Sequence, residues 1–294
     1  MKSFLALFLS LSLFSAAPFA TARGEPASVQ DGINVEEGSR LRKLVPAQQL
    51  EEQAAQQYAA LKKEAAQKDV LVPENHPQVQ RLRAIAKRII PHTERWNERA
   101  DQWPWEVNLI ALKEVNAFCM PGGKIAFFGG LLETLKLTDD EVAIVMGHEI
   151  AHALREHARE RMAKGSLLSL GATIGSAVLG LGDIGQAVVG QGAQLWMLKF
   201  SRGHETDADV VGLDIVARAG FDPRAGVTLW QKMSALNKSA PPQWMSTHPA
   251  GKNRIAQIRK HLPSVMPLYA KSRGTTVAAL SPYQTNVKGI APVK

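Results

Sequence analysis

Apolar residues recur every three or four positions in two segments near the start of the chain. This spacing places them on one side of a helix and predicts two amphipathic helices, over residues 46–68 and 77–90. We expect both to pack on the rest of the domain. The apolar positions are Leu50, Ala54, Tyr58, Leu61 and Ala65, then Val79, Leu82, Ile85 and Ile89.

The pattern changes to alternation at Trp105–Leu112, which is rich in β-formers and predicts a strand. Two more short strands, Val115–Met120 and Lys124–Phe128, flank the turn residues Pro121–Gly123. Together they predict a small antiparallel sheet. An edge of such a sheet can hold a peptide by strand addition. The alternative is that the sheet only packs against the next helix.

A long helical pattern follows, from Thr138 to about Ala163, and Glu141 forms a capping box with Thr138 at its start. The pattern contains the sequence His148-Glu149-Ile150-Ala151-His152. Residues four apart differ by about 400° of helical rotation, so the two histidines share one side and can bind one metal ion. Glu149 is turned by about 100° from His148, where it can reach a water beside the metal.

This H-E-x-x-H arrangement is typical of zinc metalloproteases. The alternative is a pair of solvated histidines, and the run Arg155–His157 does resemble a solvated surface. The neighbouring residues Ala143–Met146 and Ile150–Leu154 are mostly apolar, however. Histidine and glutamate side chains in such surroundings need partners, which a metal ion supplies.

Residues 165–200 contain two apolar stretches, Ser166–Leu181 and Ile184–Leu198, separated by Gly182 and Asp183. The first is rich in glycine and alanine and is short for a membrane span. We interpret the pair as a helical hairpin that either covers the active site or touches a membrane surface.

The C-terminal part of the chain reads as shorter elements. The segment Ser201–Asp209 leads into a helix that runs to about Ala219, and Asp222-Pro223 opens another. Ser246–Pro249 reads as a loop. Lys252–His261 reads as a short basic helix that Pro263 stops.

The first 22 residues have the pattern of a secretory signal peptide: Lys2, the apolar run Phe4–Phe14 and the small residues Ala20-Thr21-Ala22. About a dozen apolar residues are too few to span a membrane. We therefore expect an exported protein, cleaved near Ala22.

The mature chain is expected to be mainly α with a small antiparallel β-sheet, an α+β fold. The chain has 294 residues, 45% of them hydrophobic and 21% charged, which is ordinary for a globular domain. We assign residues 23–270 to one domain with its core in 75–262, and residues 271–294 to a loosely ordered tail. Residues 23–43 read as a flexible lead-in. Cys119 is the only cysteine, so no internal disulfide can form.

The formal net charge of +8 favours contact with anionic membranes or acidic partners. It does not indicate nucleic acid, because the basic residues are dispersed and are not interleaved with aromatic residues.

A catalytic zinc site needs a third protein ligand and an open position. Glu205 is the best candidate because it opens the second helix. Asp209 lies one turn later and can accept a hydrogen bond from the outer nitrogen of a ligand histidine. The alternative for Glu205 is a carboxylate that only stabilises the helix N-terminus.

These motifs, taken in order, resemble the family of HtpX and the integral-membrane CAAX-prenyl endopeptidase. The exported branch that includes the periplasmic proteases BepA and LoiP is the most similar. The resemblance covers about residues 75–262. Asp207 departs from the family's usual glutamate, and the lipoprotein cysteine is missing. The matching segments are His148–His152, Ser201–Gly212, Thr247–Pro249, Arg254 and the strand-turn-strand segment Asn116–Gly130.

The resemblance implies a zincin-like (gluzincin) metalloprotease domain that binds one Zn²⁺ per monomer. It implies His148, His152 and Glu205 as zinc ligands and Glu149 as the general base. It also places His248 near the zinc. As a donor, His248 would stabilise the oxyanion, with Arg254 holding the substrate or that charge. As a fourth zinc ligand, it would instead keep the enzyme silent, and we favour this role for the resting state.

The same resemblance implies polypeptide substrates, either misfolded or outer-membrane proteins, in the periplasm of a Gram-negative bacterium. The protein would then act in protein quality control, with peripheral membrane contact as an option. The alternative function is a chaperone or assembly factor for outer-membrane proteins, with proteolysis secondary. Glu149 favours catalysis, because a structural metal site has no use for a base.

Overall fold

A computed structural model of the chain describes residues 31–166, 195, 198–236, 243–248 and 253–294. The expected signal peptide and nearly all of the expected hairpin, apart from its two ends, lie outside the described residues. Helices dominate the described part. They are α1 (Ala47–Gln67), α2 (Pro77–Ile89), α3 (Gly129–Leu135), α4 (Asp139–Leu154), α5 (residues 157–166), α6 (Arg202–Arg218), α7 (Ala225–Leu236), α8 (Gln243–Thr247) and α9 (Arg254–Ser272).

The sheet has three strands, β1 (Glu106–Ile110), β2 (Ala117–Met120) and β3 (Lys124–Phe128), in the order β1-β3-β2. The α+β class is confirmed, but the sheet is mixed rather than antiparallel. β2 and β3 form the expected antiparallel hairpin, whereas β1 runs parallel to β3. After β1 the chain forms β2 at the opposite edge of the sheet, and β3 then pairs between the two as the central strand. Alternation along the sequence predicts strands but not their spatial order.

The centre of the domain is α4, in which every residue from Glu141 to Leu154 is buried. The predicted capping box is present: Thr138 Oγ1 accepts from the Glu141 amide, and the Glu141 carboxylate accepts from the Thr138 amide. One side of α4 packs on β2 and another on α6. The approach to α6 is close because glycines meet there: a Cβ atom at Gly212 would lie 3.0 Å from the His148 amide nitrogen.

The predicted long helix is interrupted. It ends at Leu154, and Glu156 adopts a left-handed conformation with φ of 57° before α5 begins at residue 157. The prediction that Pro263 stops the last helix is wrong, because α9 continues through Pro263 and Pro267 to Ser272. Buried residues on both sides of Pro263, including Ile258 and Val265, hold this helix on the core and outweigh the lost hydrogen bonds.

Both ends of the described chain make defined contacts. The amide of Ile33 donates to Asp214 Oδ2 at 3.0 Å, and the Ile33 side chain is buried, although this region was expected to be flexible. In the expected loose tail, the backbones of Tyr283 and Val293 pair, and both side chains are buried. Tyr283 also hydrogen-bonds Thr138 at the start of α4. The buried apolar residues of these two segments, Ile33, Tyr283 and Val293, are too few and too far apart to form a periodic pattern. The sequence pattern therefore did not predict their contacts.

Within the described residues, no helix combines the length and the apolar character that crossing a membrane requires.

Candidate metal centre

Helix α4 brings His148 and His152 together one turn apart. Their Nε2 atoms lie 3.1 Å from each other, and both rings are buried. The Nε2 atoms of the two rings therefore face a common point inside the protein. This is the arrangement that the four-residue spacing predicts.

Helix α6 supplies Glu205 to the same point. Ser201 caps α6 by accepting from the His204 amide, which places Glu205 in the first turn. Its Oε2 lies 3.4 Å from His148 Nε2 and its Oε1 lies 3.4 Å from His152 Nε2. Burial raises the pKa of this carboxyl, but hydrogen bonds from the surrounding histidines outweigh burial and hold the pKa well below its usual range. Glu205 is therefore an anion.

The ring of His248 completes the cluster from the end of α8. Its Nδ1 lies 3.1 Å from Glu205 Oε1 and 3.3 Å from His148 Nε2. One ligand atom from each of His148, His152, Glu205 and His248 can be chosen so that all lie within 4.8 Å of one another. The expected loop around His248 is thus partly helical, and Pro249 lies outside the described residues.

This donor set fits a zinc ion. Three imidazole nitrogens and one carboxylate converge in a site where every contributing residue is buried. Without a cation, the ring-nitrogen contacts at 3.1 and 3.3 Å require a proton on one of these nitrogens, because a nitrogen lone pair cannot donate to another. A cation at their centre would accept every lone pair. Imidazole and carboxylate ligands in a tetrahedral set are those that zinc takes in proteins.

Glu149 lies beside this cluster without joining it. The Nε1 of Trp244 donates to its Oε1 at 2.6 Å, and the carboxylate is buried. The same oxygen lies 3.5 Å from His248 Nε2. Glu149 is therefore held next to the ligands, on the side where the sequence predicts a base.

Asp209 and Arg254 support the cluster from behind. Asp209 Oδ1 accepts from His148 Nδ1 at 3.0 Å, so the predicted partner of a ligand histidine is in place. Arg254 binds both oxygens of Asp209 at 2.6 Å and donates from Nη1 to Glu205 Oε2 at 2.7 Å. Its guanidinium also lies over the Trp230 ring, 4.2 Å from the centroid.

The electrostatics of the two candidate ligand histidines, His148 and His152, differ. Burial and the Arg254 charge lower the pKa of His148, but hydrogen bonds to Asp209 and Glu205 outweigh them and raise it to about 9. Burial dominates at His152 and lowers its pKa well below the usual range. Neighbouring carboxylates thus supply His148 with the negative charge that also favours a bound cation.

Several residues in the site were missed from the sequence. Trp244 and Trp230 contact Glu149 and Arg254 but belong to no motif. His157 was assigned to a solvated surface, yet its side chain is buried and its Nδ1 lies 2.9 Å from His152 Nδ1. Its position five residues after His152 was the only available clue. The break after α4, which the pattern did not reveal, turns it inward.

The fold and the site define a metalloprotease of the H-E-x-x-H class on a zincin-like domain. The profile of peptidase family M48 matches residues 73–262, and the chain belongs to this family. This confirms the expected enzyme class.

Similar proteins include two from eukaryotes and one from a bacterium. The chain is 34% identical to the mitochondrial metalloendopeptidase OMA1 of Schizosaccharomyces pombe over 200 residues, which are 66% of this chain and 56% of that protein. It is 41% identical over 150 residues to the protein of the same name from Arabidopsis thaliana, covering 51% and 30%. It is 28% identical over 205 residues to the beta-barrel assembly-enhancing protease of Escherichia coli K12, covering 66% and 40%. The matched region thus covers between about a third and just over half of the length of these relatives.

Proposed function

We propose that this protein is a zinc metalloendopeptidase in which His148, His152 and Glu205 hold one zinc ion. The observation that carries this proposal is the convergence of these three side chains beside a buried glutamate that does not join them. A purely structural zinc site has no use for a base beside its ligands. Membership of the M48 family supports the same function.

A zinc ion bound there would polarise the scissile carbonyl and lower the pKa of water. The chain's own contribution is proton transfer by Glu149. Oε1 of Glu149 accepts a hydrogen bond from Trp244, while Oε2 accepts none from any described residue. Oε2 would therefore accept the proton of the attacking water and pass it to the leaving amine.

His248 is best placed as a fourth ligand in the resting state. Its Nδ1 points among the other ligand atoms, and its Nε2 points at Glu149. In this orientation the ring fills the space that water and the substrate carbonyl need. Movement of His248 would then precede catalysis, as a gating step.

Strand β2 is the expected place for the substrate. It lies at the edge of the sheet and packs on α4, the helix that carries Glu149. An extended peptide that pairs with this edge would run alongside the metal helix. Main-chain pairing of this kind suits unfolded polypeptides, because it places few demands on their side chains.

We further propose that the protein acts on misfolded or outer-membrane proteins in the periplasm of a Gram-negative bacterium. The signal-peptide pattern of residues 1–22 supports export. Similarity to a protein named beta-barrel assembly-enhancing protease supports the substrate class, whereas the relatives named OMA1 are mitochondrial. The formal net charge of +7 that remains without the expected signal peptide and its Lys2 supports peripheral contact with anionic membranes.

Cleavage of casein and of an unfolded outer-membrane protein by the wild type and by Glu149→Gln tests the proposal. We expect Glu149→Gln to retain zinc at wild-type content and to lose activity, by ~10²–10⁴-fold or more. The matched control is Glu64→Gln, the same change at an exposed position of α1, which should cleave normally. Wild-type cleavage by Glu149→Gln would refute the catalytic assignment. If Glu149→Gln still suppressed aggregation, a chaperone activity would be separate from proteolysis.

A further inference from the structure

The break between α4 and α5 controls where His157 lies. On a continuous helix, residue 157 would be turned by about 140° from residue 152 and would point away from it. The left-handed conformation of Glu156, with φ of 57°, instead starts a new helix in a new direction. The imidazole of His157 thereby returns over the ring of His152, and its side chain is only 3% exposed.

The unusual backbone at Glu156 is held in place by its own side chain. Non-glycine residues rarely adopt positive φ, and they do so where the surrounding structure fixes them. The Glu156 carboxylate pairs with Arg42 at 3.0 Å and with Arg159 at 2.7 Å. Arg159 lies on α5, just after the break, whereas Arg42 comes from the distant segment Arg40–Leu44. The two contacts together hold the turn that directs His157 inward.

His157 links a ligand histidine to a carboxylate. Its Nδ1 lies 2.9 Å from His152 Nδ1, and its Nε2 lies 3.0 Å from Asp207 Oδ2. Arg155 donates from Nε to the same Asp207 oxygen at 2.7 Å, which fixes the carboxylate. His152, His157 and Asp207 are thus linked in series, from the metal cluster to a carboxylate that Arg155 holds.

When His152 binds a metal, this series of hydrogen-bonded groups allows only one arrangement of protons. The Nε2 of His152 faces the cluster and must offer its lone pair, so the proton of the neutral ring lies on Nδ1. That proton can be donated only to an unprotonated Nδ1 of His157. His157 then carries its own proton on Nε2 and donates it to Asp207.

We propose that His157 is a positioning residue that fixes the tautomer and the ring angle of His152, with Asp207 as the anchor of the relay. This inference rests on the proposed zinc site. It gives both ligand histidines a support of the same kind: His148 donates directly to Asp209, whereas His152 reaches Asp207 through one neutral imidazole. Such supports typically strengthen metal binding 10–100-fold.

The test is zinc affinity, measured on the full chain by competition with a chelator of known affinity. His157→Phe keeps a flat ring but offers no acceptor, and it should weaken zinc binding by ~10–100-fold. His157→Gln should restore most of this loss, because its amide oxygen can accept from His152 while its NH₂ group donates to Asp207. The matched control is His204→Phe. The His204 ring stacks on His157 at 4.3 Å without hydrogen-bonding a ligand, so zinc affinity should not change.

Two further measurements make the outcome decisive. Thermal unfolding of the zinc-free variants should match the zinc-free wild type, which separates lost affinity from lost fold. Nitrogen-15 NMR of the zinc-bound wild type should show the proton of His152 on Nδ1 and that of His157 on Nε2. Equal zinc affinity in His157→Phe and the wild type would overturn the relay while leaving the zinc site intact. Failure of the wild type to bind zinc would instead overturn the proposed function.

Discussion

The ring of His248 spans the gap between the proposed metal ligand Glu205 and the proposed base Glu149: its Nδ1 lies 3.1 Å from Glu205 Oε1, and its Nε2 lies 3.5 Å from Glu149 Oε1. A single side chain therefore contacts both carboxylates of the proposed site. If water and substrate are to reach Glu149, this ring must move. The geometry supports an inhibitory role in the resting state more than an oxyanion-binding role.

We expect His248→Ala to cleave casein faster than the wild type at equal zinc content, because the change frees the fourth position. The control is Ser246→Ala, which removes a hydroxyl at an exposed position of α8, two residues before His248. Loss of an oxyanion donor would instead slow cleavage by ~10²–10³-fold, and that result would reverse the assigned role. Unchanged rates would show that His248 has neither role.

Removal of a ligand should remove the metal. We expect His148→Ala to lose most of its bound zinc after dialysis, because only His152, Glu205 and the movable ring of His248 remain to hold the ion. Zinc content per chain, measured by elemental analysis, checks this. His92→Ala removes a histidine that lies outside the cluster and should keep the metal. Full zinc occupancy in His148→Ala would contradict the ligand assignment.

The parts of the site that follow helical spacing were predictable from the sequence. His148 and His152 lie one turn apart on α4, and Asp209 lies one turn beyond Glu205 on α6. Helical geometry alone fixes such pairs. The meeting of α4 with α6 is a tertiary contact that no local pattern specifies. The expectation of Glu205 as a third ligand therefore also needed the chemical requirement of zinc and the resemblance to a family.

The parts that escaped prediction depend on backbone departures and on long-range packing. The left-handed Glu156 directs His157 inward, although a regular helix would leave it outside. The parallel pairing of β1 with β3 depends on the path of a connection. The continuation of α9 beyond Pro263 depends on tertiary burial that overrides local propensity.

Arg254 gives a further prediction, because its contacts are with Glu205 and Asp209 rather than with open solvent. These contacts favour a role in holding the ligand carboxylate. We expect Arg254→Met to lower zinc affinity and the free energy of unfolding, the latter by about 3–5 kcal/mol, because the buried Glu205 and the largely buried Asp209 lose their partner. Chemical denaturation of the zinc-free protein measures the second effect. If Arg254→Met changed only the KM for substrate, a direct substrate contact would be the better explanation.

The C-terminal segment should stabilise the start of α4, the helix that carries His148 and His152. Glu141 is fully buried, and its Oε1 accepts from Thr285 at 2.9 Å and from Thr228 at 2.8 Å, while Lys232 pairs with its Oε2. Thr285→Val keeps the shape but removes one donor from a buried carboxylate, which should cost about 1–3 kcal/mol of unfolding free energy. Thr275→Val, an exposed position, is the control. Equal stability of both variants would show that the tail contributes nothing here.

The close approach of α4 to α6 gives the last prediction. A Cβ atom at Gly147 would lie 2.5 Å from Val216 Cγ2 and 3.1 Å from the Gly212 carbonyl oxygen. Gly147→Ala should therefore push the helices apart and lower the free energy of unfolding by about 1–3 kcal/mol. Gly203→Ala is the control on α6, where the nearest atom lies 3.8 Å away and alanine should stabilise the helix by a few tenths to ~1 kcal/mol. Adding Val216→Ala to Gly147→Ala removes the clashing methyl group, so the double variant should lose less than the sum of the single losses. Additive losses would show that this contact does not set the distance between the helices that carry His148 and Glu205.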